Sequence, residues 1–198
     1  MTLRSTPVSL VLEGSTDGPV ATRLLEHVGL TVGPIYGLRG KSHNDAKMPA
    51  YNSAARFAPW FVLRDLDHDA PCAPDLARML LPTPSRHMLL RIAVREMEAW
   101  LLADQKALSA FMRVSASQMP ANPDDLTDAK AELVRLARRS TKPAIRRDMV
   151  PRAGSGTSVG PGYSARIMEF ANERWRPEVA AARSPSLARC IRALRRWT

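Results

Sequence analysis

Cysteine is scarce in this 198-residue sequence. Its two cysteines, Cys72 and Cys190, lie far apart and form no CxxC pair, so we expect neither a disulfide framework nor a cysteine-rich zinc module. No stretch approaches the roughly 18 consecutive apolar residues that a membrane-spanning helix needs, and the N-terminal segment lacks the layout of a signal peptide. These absences predict a reduced, cytoplasmic protein with no membrane partner.

Aromatic residues are also few. Phe, Trp and Tyr make up 6% of the residues, which argues against a wide aromatic platform for stacking nucleic-acid bases. The glycine-rich stretch GSGTSVGPG lacks the GxxxxGK[ST] order of a P-loop and is expected to be a connector. His68 and Cys72 have a spacing compatible with zinc, but no second pair accompanies them, so we expect no structural zinc site.

Positive charge is abundant and unevenly distributed. Residues 1–134 contain 14 Lys and Arg against 15 Asp and Glu, whereas residues 135–198 contain 15 against 4. The net charge of +10 therefore comes from the C-terminal third. A basic segment beside a nearly neutral body indicates a polyanionic partner, with nucleic acid first in line. An arginine-rich surface that faces only solvent is the alternative interpretation.

Short apolar runs typical of buried strands alternate with segments of helical spacing. The first run ends at the turn formed by Glu13 and Gly14, and Asp17 is expected to cap the helix that follows. The alternation predicts an α/β fold with a Rossmann-like sheet of about four mainly parallel strands and helices on both faces. The expected strands are SLVL, TVGPIYGL, WFVL and HMLLRIAV, and the expected helices are DGPVATRLLEHVGL, AKMPAYNSAARF, DLARMLL and REMEAWLLADQKALSAF.

The pattern changes after about residue 112, where strand signals stop. Helices are expected over TDAKAELVRLARRS, YSARIMEFANERW and SPSLARCIRALRRW, the last with Ser184 as its cap and Pro185 in its first turn. We therefore divide the chain into a core, residues 1–112, and a basic helical extension, residues 113–198, that packs on the core. One continuous domain is the alternative.

Three carboxylates follow two of the predicted strands. Asp65 and Asp67 are two residues apart after WFVL, so on an extended segment their side chains would point to one side. Glu13 would join them from the end of the first strand, since parallel strands end at the same edge of a sheet. Three such charges repel one another unless a hard cation such as Mg²⁺ neutralises them. An acidic turn with its side chains in water is the alternative interpretation.

The segments VLEGSTD and VLRDLDHD, set on alternating strands and helices, resemble the TOPRIM domain of topoisomerases, primases and overcoming-lysogenization-defect nucleases. The stretches IAVREMEAWLLAD, GPGYSARIMEF and SPSLARCIRALRRW further resemble a family of small bacterial TOPRIM-like proteins of unknown function, some of them placed near phage-defence genes. The first resemblance covers about residues 7–105, and the second covers nearly the whole chain.

The resemblance implies a catalytic set of Glu13, Asp65 and Asp67. Glu13 would act in acid–base chemistry or metal binding, and the two aspartates would ligate Mg²⁺ or Mn²⁺. The implied activity is that of a metal-dependent nuclease, a phosphodiester hydrolase that acts on DNA or RNA and serves in phage defence. A protein partner encoded by a neighbouring gene is a further expectation.

A fourth acidic candidate, Glu98, lies at the expected junction of the fourth strand and its helix. Leu101 and Leu102, at i+3 and i+4, indicate that Glu98 is partly buried and needs a partner, which would be the metal or an arginine such as Arg64 or Arg95. About 200° of helical rotation would separate Glu96 from Glu98, so both cannot face one site. We favour Glu98 as the further metal ligand because of its apolar neighbours. A salt bridge that orients the helix is the alternative.

Substrate contacts are expected from basic residues in two regions. The loop RGKSHND would bring cations towards the sheet edge, and the last helix would present arginines able to follow a phosphodiester backbone. The substrate-binding candidates are Arg39, Lys41, Arg64, Arg189, Arg192 and Arg196.

Two further function classes fit the same residues. The first is a TOPRIM-like module that binds nucleic acid or protein without cutting, as a component of a defence or toxin system. The second is a nucleotide phosphohydrolase, which would release phosphate from free nucleotides.

Overall fold

The computed structural model of the chain describes residues 6–198. Its centre is a four-stranded sheet with the order β2-β1-β3-β4, in which every neighbouring pair is parallel. This confirms the predicted α/β class and the four parallel strands. The strands are β1 (Val8–Leu12), β2 (Val32–Gly37), β3 (Trp60–Asp65) and β4 (Met88–Ala93).

A helix follows every strand, and beyond β4 the regular structure of the described chain is helical. None of the helices in residues 6–198 is long and apolar enough to cross a membrane. The helices are α1 (Asp17–His27), α2 (Lys41–Ala54), α3 (Ala73–Leu80), α4 (Glu98–Ala103), α5 (Gln105–Met112), α6 (Ala129–Arg138), α7 (Pro143–Met149), α8 (Tyr163–Glu173), α9 (Pro177–Ala180) and α10 (Pro185–Leu194).

Alternate side chains of the central strands face two different helix layers. Leu10 of β1 and Phe61 of β3 belong to the large core shared with α1, α4, α6, α8 and α10. Their neighbours Val11 and Val62 point the other way and pack with Met48 of α2. Both faces of the sheet are therefore covered, which is why the strands read as nearly continuous apolar runs.

One continuous hydrophobic core extends from Val8 of β1 to Leu194 of α10. At its centre the Trp100 indole N–H donates to Ser186 Oγ at 2.7 Å, and the Trp175 indole N–H donates to the Trp100 carbonyl at 3.0 Å. Both indole rings are fully buried. Residues beyond 112 therefore supply part of the core that covers the sheet.

Two of the expected helices have other bounds than the sequence indicated, and two short helices, α7 and α9, were not expected. α2 begins at Lys41, so part of the expected loop RGKSHND is the first turn of a helix. The single helix expected over REMEAWLLADQKALSAF is two helices, because the chain changes direction at Asp104. The Asp104 carboxylate accepts a hydrogen bond from the Ala107 amide at 3.3 Å and also holds Arg176, which stabilises the break.

Local contacts fix the strand ends from which the site is built. Buried Asn44 of α2 donates through Nδ2 to the Leu12 carbonyl at 2.7 Å. A Cβ atom at Gly37, where φ is 86°, would lie 2.5 Å from that same carbonyl, so only glycine fits there. Asp17 does not cap α1 as expected: its Oδ2 accepts from the Glu13 and Gly14 amides at 3.0 and 2.9 Å and so orders the turn after β1.

Candidate functional site: an acidic pocket beside a neutralised aspartate cluster

A pocket of about 410 Å³ lies at the carboxyl end of the sheet. We call it the acidic pocket, because carboxylates from the ends of β1 and β3 and from the starts of α1 and α4 line it together with a single lysine. These lining side chains are Glu13, Asp17, Asp65, Glu98 and Lys130. Tyr163, Ser158 and Ser164 complete its wall from the C-terminal part of the chain.

Glu13 links the two central strands at the mouth of the pocket. Its Oε1 accepts from the Asp65 amide at 2.9 Å and lies 3.3 Å from Arg64. Burial raises the pKa of Glu13, while the Asp65 amide and Arg64 oppose the shift. Glu13 is thus held in one orientation and is easier to protonate than an exposed glutamate.

Asp65 ends β3 and faces the pocket. Its Oδ1 accepts from the Met97 amide at 2.9 Å, which ties the end of β3 to the start of α4. Burial raises the pKa of Asp65 well above its usual range, and repulsion from Glu98, Glu13 and Asp17 adds to the effect. The acidic pocket therefore gathers more carboxylates than its lysine, Lys130, can neutralise.

Glu98 is almost fully buried, at 3% exposure, as its apolar neighbours predicted. Its partners are not Arg64 or Arg95: the Tyr163 hydroxyl donates to Oε1 at 3.2 Å, and Lys130 Nζ lies 3.7 Å away. Burial raises the pKa of Glu98, and Lys130 opposes the shift. These partners come from α8 and α6, elements more than thirty residues further along the chain.

Glu96 also approaches the pocket, which the helical-rotation argument did not anticipate. α4 begins at Glu98, so Glu96 precedes the helix and is not rotated away on its surface. Its Oε2 accepts from the Lys130 amide at 2.9 Å, and its Oε1 lies 3.9 Å from Lys130 Nζ. Although burial disfavours the lysine charge, Glu98, Glu96 and Asp65 raise the pKa of Lys130. Lys130 is therefore a fixed cation above the carboxylates.

Arg64 fills the space between the carboxylates at the end of β3. The side chain is 2% exposed, and its guanidinium bonds Asp45 of α2 at 3.2 and 3.1 Å as well as Asp69. It also lies 3.3 Å from Glu13 and 3.8 Å from Asp67. Arg64 was predicted to contact substrate, but here it is a buried counter-ion for the acidic residues around it.

Asp67 and Asp69 form a second cluster with Lys41 outside the acidic pocket. Lys41 Nζ donates to Asp67 at 2.8 Å and to both Asp69 oxygens at 3.0 and 2.8 Å. β3 ends at Asp65, and Asp67 has a left-handed φ of 47°, so the alternation that would point Asp65 and Asp67 to one side does not continue. The pocket brings Glu13, Asp65 and Glu98 together and leaves Asp67 out.

The remaining substrate-binding candidates are dispersed. Arg39 is exposed in the segment before α2. Arg189, Arg192 and Arg196 are exposed, as the packing stripe of α10 predicted. Their neighbour Arg195 lies 3.5 Å from His27 in the last turn of α1, about 15 Å along that helix from the pocket residue Asp17.

The pocket side chains suit a hard cation in chemistry but are not arranged around one. Carboxylate oxygens are the donors that Mg²⁺ prefers, and Glu13, Asp65 and Glu98 supply them from one wall. Within residues 6–198, no group of three or more His, Cys, Asp or Glu side chains could hold a metal ion in this conformation. Ion binding would therefore require the carboxylates to rotate towards a common point.

Sequence reasoning missed Lys130, Tyr163 and Ser158 as pocket residues. Lys130 and Tyr163 lie in helices that carry no local signal of a site, since only the tertiary fold brings them to the sheet edge. Residues 156–160, GTSVG, have the GxSxG spacing, but they lie in a segment without helix or strand and not in the strand-to-helix elbow that activates a serine.

A comparison of the chain with protein-family models, curated proteins and solved structures finds no match. The TOPRIM resemblance therefore stays a prediction that rests on the sequence motifs.

Proposed function

We propose that this protein is a TOPRIM-like, divalent-cation-dependent phosphodiester hydrolase that acts on nucleic acid. The observation that carries the proposal is the gathering of Glu13, Asp65 and Glu98 around one pocket, with Lys130 as the pocket's cation. Carboxylates that burial and mutual repulsion make hard to ionise gain most from a bound cation. The proposal is also supported by the sequence resemblance, which assigns Glu13 and Asp65 to the TOPRIM motifs.

Each pocket residue has a role in this proposal. Asp65 and Glu98 would hold the cation together with Glu13, and the Tyr163 hydroxyl fixes the Glu98 carboxylate through its hydrogen bond. Lys130 would contact a substrate phosphate beside the cation, since it is the cationic side chain that lines the pocket. Glu13, with its raised pKa, suits the transfer of a proton to or from water. The bound cation would supply Lewis-acid activation of the phosphate and of the attacking water.

The test is cleavage of plasmid DNA, single-stranded DNA and RNA with Mg²⁺ or Mn²⁺. Asp65→Asn and Glu98→Gln are expected to lower the rate at least about a hundredfold, because each removes a charged oxygen from the pocket. Asp75→Asn is the matched control, since Asp75 pairs with exposed Arg78 in α3, outside both acidic clusters. Cleavage that survives Asp65→Asn unchanged would contradict the proposal.

A second candidate function is supported by the Arg64 and Lys41 contacts. These two cations already neutralise Asp67, which the metal hypothesis also used, and its neighbour Asp69. Such a neutralised strand end is what a non-catalytic binding module would contain. Binding of nucleic acid or a protein partner, without cleavage under Mg²⁺ or Mn²⁺, would favour this alternative.

A further inference from the structure

A second cavity, of about 820 Å³, lies along the side of the molecule formed by α1, α5 and α8. We call it the basic groove, because six cationic side chains line it and only two acidic ones, Glu169 and Glu173, accompany them. The six are Arg23, Lys106, Arg113, Lys142, Arg174 and Arg176. No sequence motif pointed to this surface, since its residues come from four separate segments.

Much of this charge is not neutralised by the protein. In the described part of the chain, the side chains of Lys106, Arg113 and Arg174 are exposed and have no ion pair or hydrogen bond to another residue. One of the two acidic residues, Glu169, is already paired with Arg166 at 2.5 Å. The groove therefore presents exposed cations that need an anionic partner.

Two other groove residues have contacts within the protein. Arg176 bonds both oxygens of Asp104, a fully buried carboxylate, at 2.9 and 2.6 Å. Lys142 Nζ lies over the Phe111 ring at 5.7 Å from its centroid. The ion pair therefore uses the charge of Arg176 within the protein, whereas Lys142, which has no ion pair among the described residues, adds its charge to that of the exposed cations.

The basic groove extends beyond one cavity. A second depression of about 260 Å³ shares Arg113 and Lys142 with it and continues to Thr141. At its other side the groove uses Arg23 of α1, six residues and about 9 Å along the helix from Asp17 in the acidic pocket. α8 likewise contributes Tyr163 to the acidic pocket and Glu169 to the groove.

We propose that the basic groove binds the phosphodiester backbone of a single nucleic-acid strand that continues into the acidic pocket. A chain of phosphates supplies one negative charge per nucleotide and can meet several separated cations at once. The inference rests on the proposed function only in naming this strand as the substrate; binding in the groove does not require cleavage.

The test measures binding of fluorescein-labelled single-stranded DNA and RNA oligonucleotides by anisotropy in a chelating buffer, so that no cleavage occurs. The test variant is Lys106→Glu/Arg113→Glu/Arg174→Glu, with Lys106→Gln/Arg113→Gln/Arg174→Gln as a milder version should charge reversal unfold the protein. The matched control is Lys47→Glu/Arg56→Glu/Arg86→Glu, which changes the same residue types and net charge at exposed positions outside the groove.

The groove variants are expected to weaken binding at least about tenfold at 0.1 M salt, while the control changes it about twofold or less. The slope of log affinity against log salt should fall by about 2 in the groove variants, since each backbone contact to a single strand contributes about 0.7. Equal weakening by groove and control variants, or absence of binding by the wild type, would overturn the inference. Displacement of the oligonucleotide by free ATP at equal phosphate concentration would assign the groove to nucleotides instead.

Acetylation of lysines in the wild-type protein gives a second readout, which does not depend on whether a variant folds. Bound oligonucleotide should protect Lys106 and Lys142 in the groove and leave Lys47 of α2 reactive. Uniform reactivity with and without oligonucleotide would contradict the inference. Failure of the proposed function looks different: the groove lysines would be protected, but no metal would produce cleavage.

Discussion

Two aspartates four residues apart at the end of β3 have opposite electrostatic environments. Asp65 faces other carboxylates, and burial together with their repulsion raises its pKa. Asp69 receives hydrogen bonds from Lys41 and Arg64, and these contacts lower its pKa. Asp65 thus lacks a neutralising cation among the described residues, whereas Asp69 is already neutralised by Lys41 and Arg64.

This contrast predicts opposite pH dependences for two conservative variants. A raised folded-state pKa at Asp65 contributes stability below its unfolded pKa of about 4, and that contribution is lost as the pH rises through the folded value. Asp65→Asn should therefore have a higher free energy of unfolding than the wild type at pH 8, with the difference shrinking towards pH 4. Urea denaturation at a series of pH values measures this.

Asp69→Asn is the paired control, because its sign is reversed. A lowered pKa contributes stability above the unfolded value that is lost as the pH falls, so this variant should be less stable than the wild type at pH 8. If Asp65→Asn and Asp69→Asn shift stability in the same direction, this electrostatic description is refuted.

Mg²⁺ should add stability to the wild type at pH 8, about 2.7 kcal/mol at a hundred times its dissociation constant, and should add little to Asp65→Asn.

Arg64 provides a further prediction at the same scale. Replacing this buried guanidinium by methionine leaves Asp45 and Glu13 without their counter-ion, and the expected loss is about 3–5 kcal/mol. The loss should be larger at pH 7 than at pH 4, where protonation relieves the repulsion. Arg86→Met, at an exposed position, is the control and should remain within about 0.5 kcal/mol of the wild type by chemical denaturation. A loss at Arg64 no larger than this control would show that the guanidinium is dispensable.

At the scale of elements, the sequence was informative where burial dictates residue type. β1 and β3 are buried between the two helix layers, and their apolar runs identified them. The start of α10 was identified by its cap and proline, since Ser184 Oγ accepts from the Leu187 amide at 3.2 Å. The start of α2 was missed because Gly40, which precedes it, has no side chain that could form a cap. The break at Asp104 was missed because one of the two contacts that stabilise it comes from Arg176, seventy-two residues away.

In the acidic pocket, too, the residues with a local sequence signal were predicted and those placed by tertiary contacts were not. Glu13 and Asp65 were found because strand ends carry a local signal, and Glu98 because its neighbours are apolar. The position of Asp67 was not predicted, because a single left-handed residue reverses the side-chain alternation. Lys130 reaches the pocket only through the packing of α6 on α4, and no pattern within α6 reveals this contact.

At the scale of the whole molecule, the positive charge of the C-terminal third is divided between internal pairs and a free surface. Arg135, Arg166 and Arg176 are paired with acidic residues of the described chain. Arg174 is not, and it lies in the basic groove with Lys142 of the same third and with Lys106 and Arg113, which precede it in the chain. The net charge alone therefore indicated a polyanionic partner without indicating where it would bind.

The shared core makes a last prediction about cooperativity. Trp175 is fully buried, and its indole bonds the Trp100 carbonyl, so Trp175→Ala should cost about 3–5 kcal/mol and destabilise the sheet as well as the C-terminal helices. Calorimetry of the wild type and the variant should each show one transition, with β1 and α8 amides exchanging at the same global rate. Arg192→Ala, at an exposed position of α10, is the control and should barely shift the transition. Two separate transitions, with only the C-terminal one moved by Trp175→Ala, would mean that the helices fold as a unit of their own and that the acidic pocket is assembled across a boundary between domains.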